Sequence, residues 1–220
     1  MITLALDAST YQGSVALLED RVVRAESGVA MRGRDEERLM PAVAETLRQA
    51  GVQLGDVDRI VCGDGPGSFT SLRIAASLAK GMATGASKPL FAVSSLALIV
   101  AGNVDGSAPA PARYLAVLDA LRGESFIALI EHTANAVSTV GEMRLVRTTD
   151  VAHEAAGAGA RPVGPALEGA WAPLARGVRM MTTALDAAGP VALTTWEPVY
   201  GRLAEAQAKW ERAHAASLPR

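Results

Sequence analysis

Cysteine is nearly absent: Cys62 is the only one in 220 residues, which excludes an internal disulfide and any cysteine-rich zinc site and fits a reducing compartment. Aromatic residues make up 4% of the chain, too few to build platforms for stacked bases. An excess of one charge is missing as well. The 21 basic and 23 acidic residues leave a net charge of −2, so no broad basic footprint for holding nucleic acid alone exists. Apolar runs such as Leu96 to Gly102 stop far short of the roughly 20 residues that a bilayer-spanning helix needs. The start of the chain lacks a basic stretch and reaches Asp7 too early to serve as a signal peptide. A cytoplasmic protein without membrane contact is expected.

What is present suits a soluble α/β fold with an aliphatic core, since 50% of the residues are apolar and 20% charged. Ile2–Leu6 and Ser14–Leu18 are apolar runs flanking a polar turn, the pattern of a β-hairpin. The figure returns at Tyr114–Leu118 and Phe126–Ile130. At an offset of 112 residues, Leu6-Asp7-Ala8 falls on Leu118-Asp119-Ala120, and Ala16-Leu17 falls on Ala128-Leu129. A duplication into two lobes follows, 1–108 and 109–220, joined through the Pro/Gly-rich stretch 101–112.

Between the hairpins, Leu39, Val43, Leu47 and Ala50 recur at helical spacing over 37–50, and Gly51 closes the helix. Pro41 either starts that helix or bends it. Arg59–Gly63 and Leu90–Val93 read as strands, Thr70–Thr84 as a helix, and Ser94 or Ser95 as the cap of a helix running through Val100. Later in the chain, a strand at Gly141–Val146, a loop at 155–162, and helices at 180–188 and 203–215 are expected.

Asp7 follows a strand, where a carboxylate can hold a hydrated metal ion and the next amides can face a phosphate; with Ser9 it can equally well only shape a turn. Asp119 repeats the arrangement. Asp7, Ser9 and Asp119 are therefore the candidate nucleotide-binding residues, although neither turn has the glycines that let phosphates approach the backbone. The string Cys62-Gly63-Asp64-Gly65-Pro66-Gly67-Ser68-Phe69-Thr70 runs from strand through glycine loop to helix. It is not a Walker loop, because Pro66 removes an amide and no Gly-Lys-Ser/Thr follows. Gly65, Pro66, Gly67 and Ser68 read first as a structural loop and second as an anion site. In the next helix, Ala75, Ala79 and Ala83 form a small ladder that either lies against the chain's own sheet or admits a second helix, with Leu72 adding apolar surface and Arg73 and Lys80 a polar rim. His132, His153 and His214 lack the spacing of a helical metal pair, and no nucleophile elbow occurs, so no metal, cofactor or catalytic residue is expected. Asp35-Glu36-Glu37 reads as a solvated helix entry.

Leu4-Ala5-Leu6-Asp7-Ala8-Ser9-Thr10, Glu37-Arg38-Leu39-Met40-Pro41, Gly65-Pro66-Gly67-Ser68-Phe69-Thr70-Ser71-Leu72-Arg73-Ile74 and Val93-Ser94-Ser95-Leu96 together resemble the TsaB family. Leu118-Asp119-Ala120-Leu121-Arg122-Gly123-Glu124 and Pro198-Val199-Tyr200 are similar to its later landmarks. The resemblance implies an actin-like, sugar-kinase-like (ribonuclease H-like) fold of two lobes. It further implies a non-catalytic subunit of the bacterial machinery that makes threonylcarbamoyladenosine beside the tRNA anticodon. Such a subunit binds and activates a TsaD-like catalytic paralogue, assembles with a TsaE-like ATPase, forms a homodimer when TsaD is absent, and meets tRNA only through the complex. By position, Arg38, Leu39, Val43, Leu72, Arg73, Ala76 and Lys80 would lie at the partner interface. The chain departs from the family in carrying Asp35-Glu36-Glu37 for the frequent His-Ser-Glu, and Ser71 for a frequent glycine. A nucleotide-hydrolysing or metallopeptidase-like enzyme of the same superfold is the alternative.

Overall fold

A computed structural model of the chain describes residues 1–31, 38–104 and 112–201. Two sheets carry the architecture. The first has the order β3-β2-β1-β4-β5, built from β1 (Ile2–Asp7), β2 (Gln12–Glu19), β3 (Val22–Ala30), β4 (Arg59–Gly63) and β5 (Leu90–Val93). The second has the order β8-β7-β6-β9, built from β6 (Ala112–Asp119), β7 (Glu124–His132), β8 (Val137–Arg147) and β9 (Arg161–Val163). In each, three antiparallel strands are followed by a parallel one beside the first, so the topology itself is duplicated.

Among the described residues five α-helices flank the sheets: α1 (Leu39–Ala50), α2 (Phe69–Ala86), α3 (Ser95–Asn103), α4 (Val151–Gly157) and α5 (Thr182–Ala188). α3 is apolar all round, from Leu96 to Ala101, and such a helix must be buried on every side. It forms one core with Ala5, Ala16 and Leu18 of the first sheet and Ala116, Leu118, Phe126 and Ala128 of the second. The opposite face of the first sheet, with Leu4, Leu6, Val15, Leu17 and Ile60, is covered by α1 and α2. That of the second sheet, with Leu115, Val117 and Ile127, is covered by the shorter α4.

These faces correct the overlay of the two hairpins. Ala5 pairs with Ala16, and Ala116 with Ala128, all four facing the central core. With these alanines matched, the first strands superimpose at an offset of 111 residues and the second at 112. A one-residue slip in a strand exchanges its faces. Leu118, not Asp119, is the counterpart of Asp7.

Pro41 sits in the first turn of α1, where its missing N–H has no helical acceptor to lose, so the helix begins at Leu39 without a break. Gly51 closes it in the left-handed conformation, φ 66°. Ser94, not Ser95, caps α3, its Oγ accepting from Ala97 N at 3.5 Å. The loop expected at 155–162 contains the end of α4 and β9. The strand expected at 141–146 extends over all of β8, and the helix at 180–188 is a 3₁₀ turn at Ala175–Met180 followed by α5. β3 is an addition to the expected elements. The lobe boundary at 108, the acidic run 35–37 and the helix at 203–215 lie outside the described residues.

The second lobe does not extend through the rest of the chain. After β9 the polypeptide returns to the first sheet: Ala175 N donates to Ser14 Oγ (3.0 Å), Arg59 pairs with Asp186 (2.6 Å), Val191 N donates to Leu90 O (2.7 Å) and Val199 N to Asp64 O (2.7 Å). No described helix is long and apolar enough to cross a membrane.

Candidate functional site

β1 and β4 run parallel at the centre of the first sheet, and the turns at their ends converge. Asp7, the last residue of β1, is fully buried. Its Oδ1 accepts from Ser9 N (2.9 Å) and Ser9 Oγ (2.8 Å), and its Oδ2 from Ser95 Oγ (2.5 Å). Ser95 Oγ in turn accepts from Gly65 N (3.0 Å), tying Asp7 to the glycine loop after β4. Burial raises the Asp7 carboxyl above the usual carboxylate range, against the lowering effect of these hydrogen bonds. A Cβ on Gly63 would overlap Asp7 Oδ2. Asp7 and Ser9 thus form a structural knot, with both carboxylate oxygens committed to the chain's own donors.

Asp119 is exposed, and its Oδ1 accepts from Leu121 N at 2.7 Å, closing an Asx turn. It faces away from the central core that Asp7 and Leu118 share. The structure does not bring Asp7 and Asp119 together as a carboxylate pair. Among the described residues, no cluster of three or more His, Cys, Asp or Glu is placed to hold a metal ion.

The loop Gly65–Ser68 is similarly occupied. Asp64 N donates to Val93 O (2.9 Å), Gly65 N to Ser95 Oγ and Ser68 N to Ser9 O (2.7 Å), while Pro66 has no N–H to offer. Gly65 adopts φ 101°, and a Cβ there would overlap Val199 O; one on Gly67 would overlap Ser9 O. Glycine is needed at both positions for backbone approach within the chain, which supports the structural reading and leaves few amides for an anion. Half-buried Asp64 has a carboxyl pushed up to about 6, first by burial and then by repulsion from Asp7. Cys62 is buried, and burial also raises its thiol far above the ordinary range, as expected of an inert core cysteine.

The outer face of α1 and α2 is the other candidate. Leu39, Val43 and Leu72 are fully buried and Ala76 is 5% exposed, so these four expected interface residues are core residues that support the face from below. They were placed there by position in the family resemblance, and on their helices they lie on the side turned toward the sheet. Arg38 and Arg73 are exposed and Lys80 is half-buried, its Nζ 5.6 Å above the Trp196 ring. The ladder Ala75, Ala79 and Ala83 packs against the chain's own sheet. Instead, α2 displays Arg73, Ser77, Gly81 and Gly85 to solvent at four-residue spacing, and α1 displays Met40, Pro41, Ala44 and Arg48. A Cβ at Gly81 or Gly85 would meet nothing within 4 Å.

Phe69, Tyr200 and Met40 escaped the sequence reading of this face. The Phe69 ring lies 4.5 Å from Tyr200, with the Arg73 guanidinium 5.2 Å from its centroid. Residues 198–201 thread past the glycine loop, and a Cβ on Gly201 would overlap the Phe126 ring of the second sheet. The terminal Pro-Val-Tyr landmark was the available signal. Its distance in sequence from the loop concealed the contact.

A family model described as TsaD, tRNA N6-adenosine threonylcarbamoyltransferase, matches residues 31–169, well over half of the chain. The chain belongs to this family, in its TsaB branch. The tRNA threonylcarbamoyladenosine biosynthesis protein TsaB of Escherichia coli K12 is 34% identical over 156 residues, 70% of this chain and 65% of that protein. TsaB of Bacillus subtilis 168 is 34% identical over 134 residues, 60% of this chain and 56% of that protein. The alignments thus span less than two thirds of either TsaB relative. The solved structure of YeaZ from Pseudomonas aeruginosa superimposes with a TM-score of 0.74 at 28% identity, covering 90% of this chain and 99% of that one.

Proposed function

We propose that the chain acts in the cytoplasm in making threonylcarbamoyladenosine in tRNA, as a non-catalytic subunit that binds and activates a TsaD-like threonylcarbamoyltransferase. The outer face of α1 and α2 is the docking surface. The observation that carries this reading is the exposed pair Gly81 and Gly85. A helix-interior glycine costs roughly 1 kcal/mol relative to alanine, and nothing among the described residues occupies the space that either leaves open. Close approach of a partner helix accounts for both, with Phe69 and Met40 as apolar contacts and Arg38, Arg73 and Arg48 at the rim.

The names of the relatives support the pathway. The committed oxygens of Asp7 and the outward turn of Asp119 count against the alternative, a nucleotide hydrolase or metallopeptidase working between these carboxylates. A TsaE-like ATPase joins the assembly, tRNA is met only through it, and two copies of this chain pair through the same face when the catalytic subunit is absent.

The test is co-purification of the tagged full chain with a TsaD-like protein. Gly81→Leu together with Arg73→Glu is expected to abolish capture while the circular dichroism spectrum stays unchanged. Undiminished capture by that folded variant, or ATP turnover by the isolated chain that Asp7→Asn removes, would overturn the reading.

A further inference from the structure

The edge strand β3, the carboxyl end of α3 and the 3₁₀ turn at Ala175–Met180 line an open polar cavity of about 570 Å³ on the side of the molecule away from the glycine loop. Arg24, Arg176 and Arg179 line it, with Glu26 and Asn103. Much of this charge serves the fold. Arg176 Nε donates to Gly102 O (2.7 Å) and Arg179 Nη2 to Val104 O (3.2 Å), satisfying carbonyls at the negative end of α3.

The charge is not used up by that role. Arg176 Nη1 reaches Glu26 at 3.1 Å, whereas among the described residues Arg179 makes no ion pair with a carboxylate, and its buried Nε has no acceptor. A buried N–H without a partner is a costly exception that calls for a water or an ion. Arg21 adds a second cation beside it, with Nε donating to Arg179 O (3.0 Å) and Nη2 to Asn135 O. Among the described residues, Arg24 is held by Glu19 at 3.1 Å, a pair in which both side chains are more than half exposed and which is therefore weak. Among the described residues, three guanidinium groups thus line one concavity against a single carboxylate, Glu26, with Arg21 close behind Arg179, in a chain whose net charge is −2.

We propose that this cavity is a binding site for a phosphate group. The anion would accept from the guanidinium that Arg179 turns toward the cavity and from Arg24 swung off Glu19, since planar guanidinium forks match phosphate oxygens. Glu26 sets the affinity. It holds Arg176 and places a negative charge on the cavity wall. The phosphate belongs either to a small phosphorylated molecule, which a cavity of this volume accommodates, or to an RNA backbone that the assembly brings across the edge of β3.

Isothermal titration of the full chain at low ionic strength with pyrophosphate as the probe tests this. One saturable site is expected, weakened about tenfold or more by Arg24→Gln and by Arg179→Gln, each a loss of a charged contact worth more than about 1.4 kcal/mol. Arg24 lies at the surface, so its variant stays folded even if removal of Arg179 unravels the end of α3. Glu26→Gln is expected to tighten binding several-fold, an effect opposite in sign to a purely structural loss. Competition by single-stranded oligouridylate that Arg24→Gln abolishes assigns the phosphate to an RNA backbone, and failure to compete assigns it to a small molecule. Absence of saturable binding, or identical isotherms for the parent, Arg24→Gln and Glu26→Gln, overturns the proposal.

Discussion

Ser95, at the start of α3, donates its hydroxyl to Asp7 at the end of β1 across 2.5 Å, although 88 residues separate them in sequence. This bond fastens the central helix to the central strand, and Ser95 Oγ passes the connection on to Gly65 N. Asp7→Ala is expected to leave two serine hydroxyls and one amide without their acceptor, lowering stability by about 3 kcal/mol. Asp7→Asn retains one acceptor oxygen and is expected to cost about 1 kcal/mol. Urea unfolding of the two variants checks the order, and equal losses would refute the role assigned to the second oxygen.

Asp64 makes stability depend on pH with a definite sign. Its carboxyl titrates at about 6 in the folded chain, above its ordinary value, so the folded state holds the proton more tightly than the unfolded one. The chain is thus expected to become more stable as pH falls from about 7 toward 4, by an amount on the order of 2 kcal/mol, and to lose that gain as pH rises through 6. Asp64→Asn should flatten this window in thermal melts. Asp7, also raised, contributes in the same direction.

Two kinds of glycine give opposite outcomes. Gly67→Ala drives a methyl group into the Ser9 carbonyl, which is backbone and cannot step aside, so a loss of several kcal/mol is expected. Gly81→Ala meets only open space in a helix and is expected to stabilise the isolated chain by roughly 1 kcal/mol. Differential scanning calorimetry separates the two. If Gly81→Ala lowered the melting temperature, glycine would be serving the fold and not a partner.

Arg59 is buried under the first sheet at 3% exposure, with Nε on Thr3 Oγ1 (3.0 Å) and Nη1 on Asp186 (2.6 Å) in α5. Asp186→Ala strands this cation and is expected to cost about 3 kcal/mol, discounted toward 2 kcal/mol because Asp186 itself is largely exposed. Arg59→Met combined with Asp186→Ala should recover most of the loss, since an unbranched apolar chain fills the space without a charge. Chemical denaturation of the single and double variants decides it.

Much of the fold was legible because hydrophobic period is a local property. Arg59–Gly63 and Leu90–Val93 are observed with the bounds that were expected, and the strand-loop-helix passage through Gly65–Ser68 is where the motif places it. β3 was not legible, because Val22–Ala30 is an edge strand whose residues alternate only between exposed and half-buried, giving no apolar run. Asp119 misled for a different reason. Ala-rich and Leu-rich strands match one another equally well at neighbouring offsets, and only the pairing of Ala116 with Ala128 reveals which face a carboxylate occupies. Leu39, Val43, Leu72 and Ala76 were assigned to the interface through the resemblance, yet they lie on the apolar sides of their helices. That position is what buries them and leaves Phe69, Met40 and Gly81 to form the surface.

The passage of residues 198–201 beneath the glycine loop bears on how the molecule is made. Tyr200 supports Phe69, and Val199 closes on Asp64, so the finished shape of the helix that opens at Phe69 requires a stretch of chain synthesised 130 residues later. A nascent polypeptide can lay down its first sheet early, yet that helix entrance stays incomplete until translation has passed Gly201. A partner that reads the entrance therefore recognises chains whose synthesis has passed Gly201, and a product stopped before that point would be left without a mate.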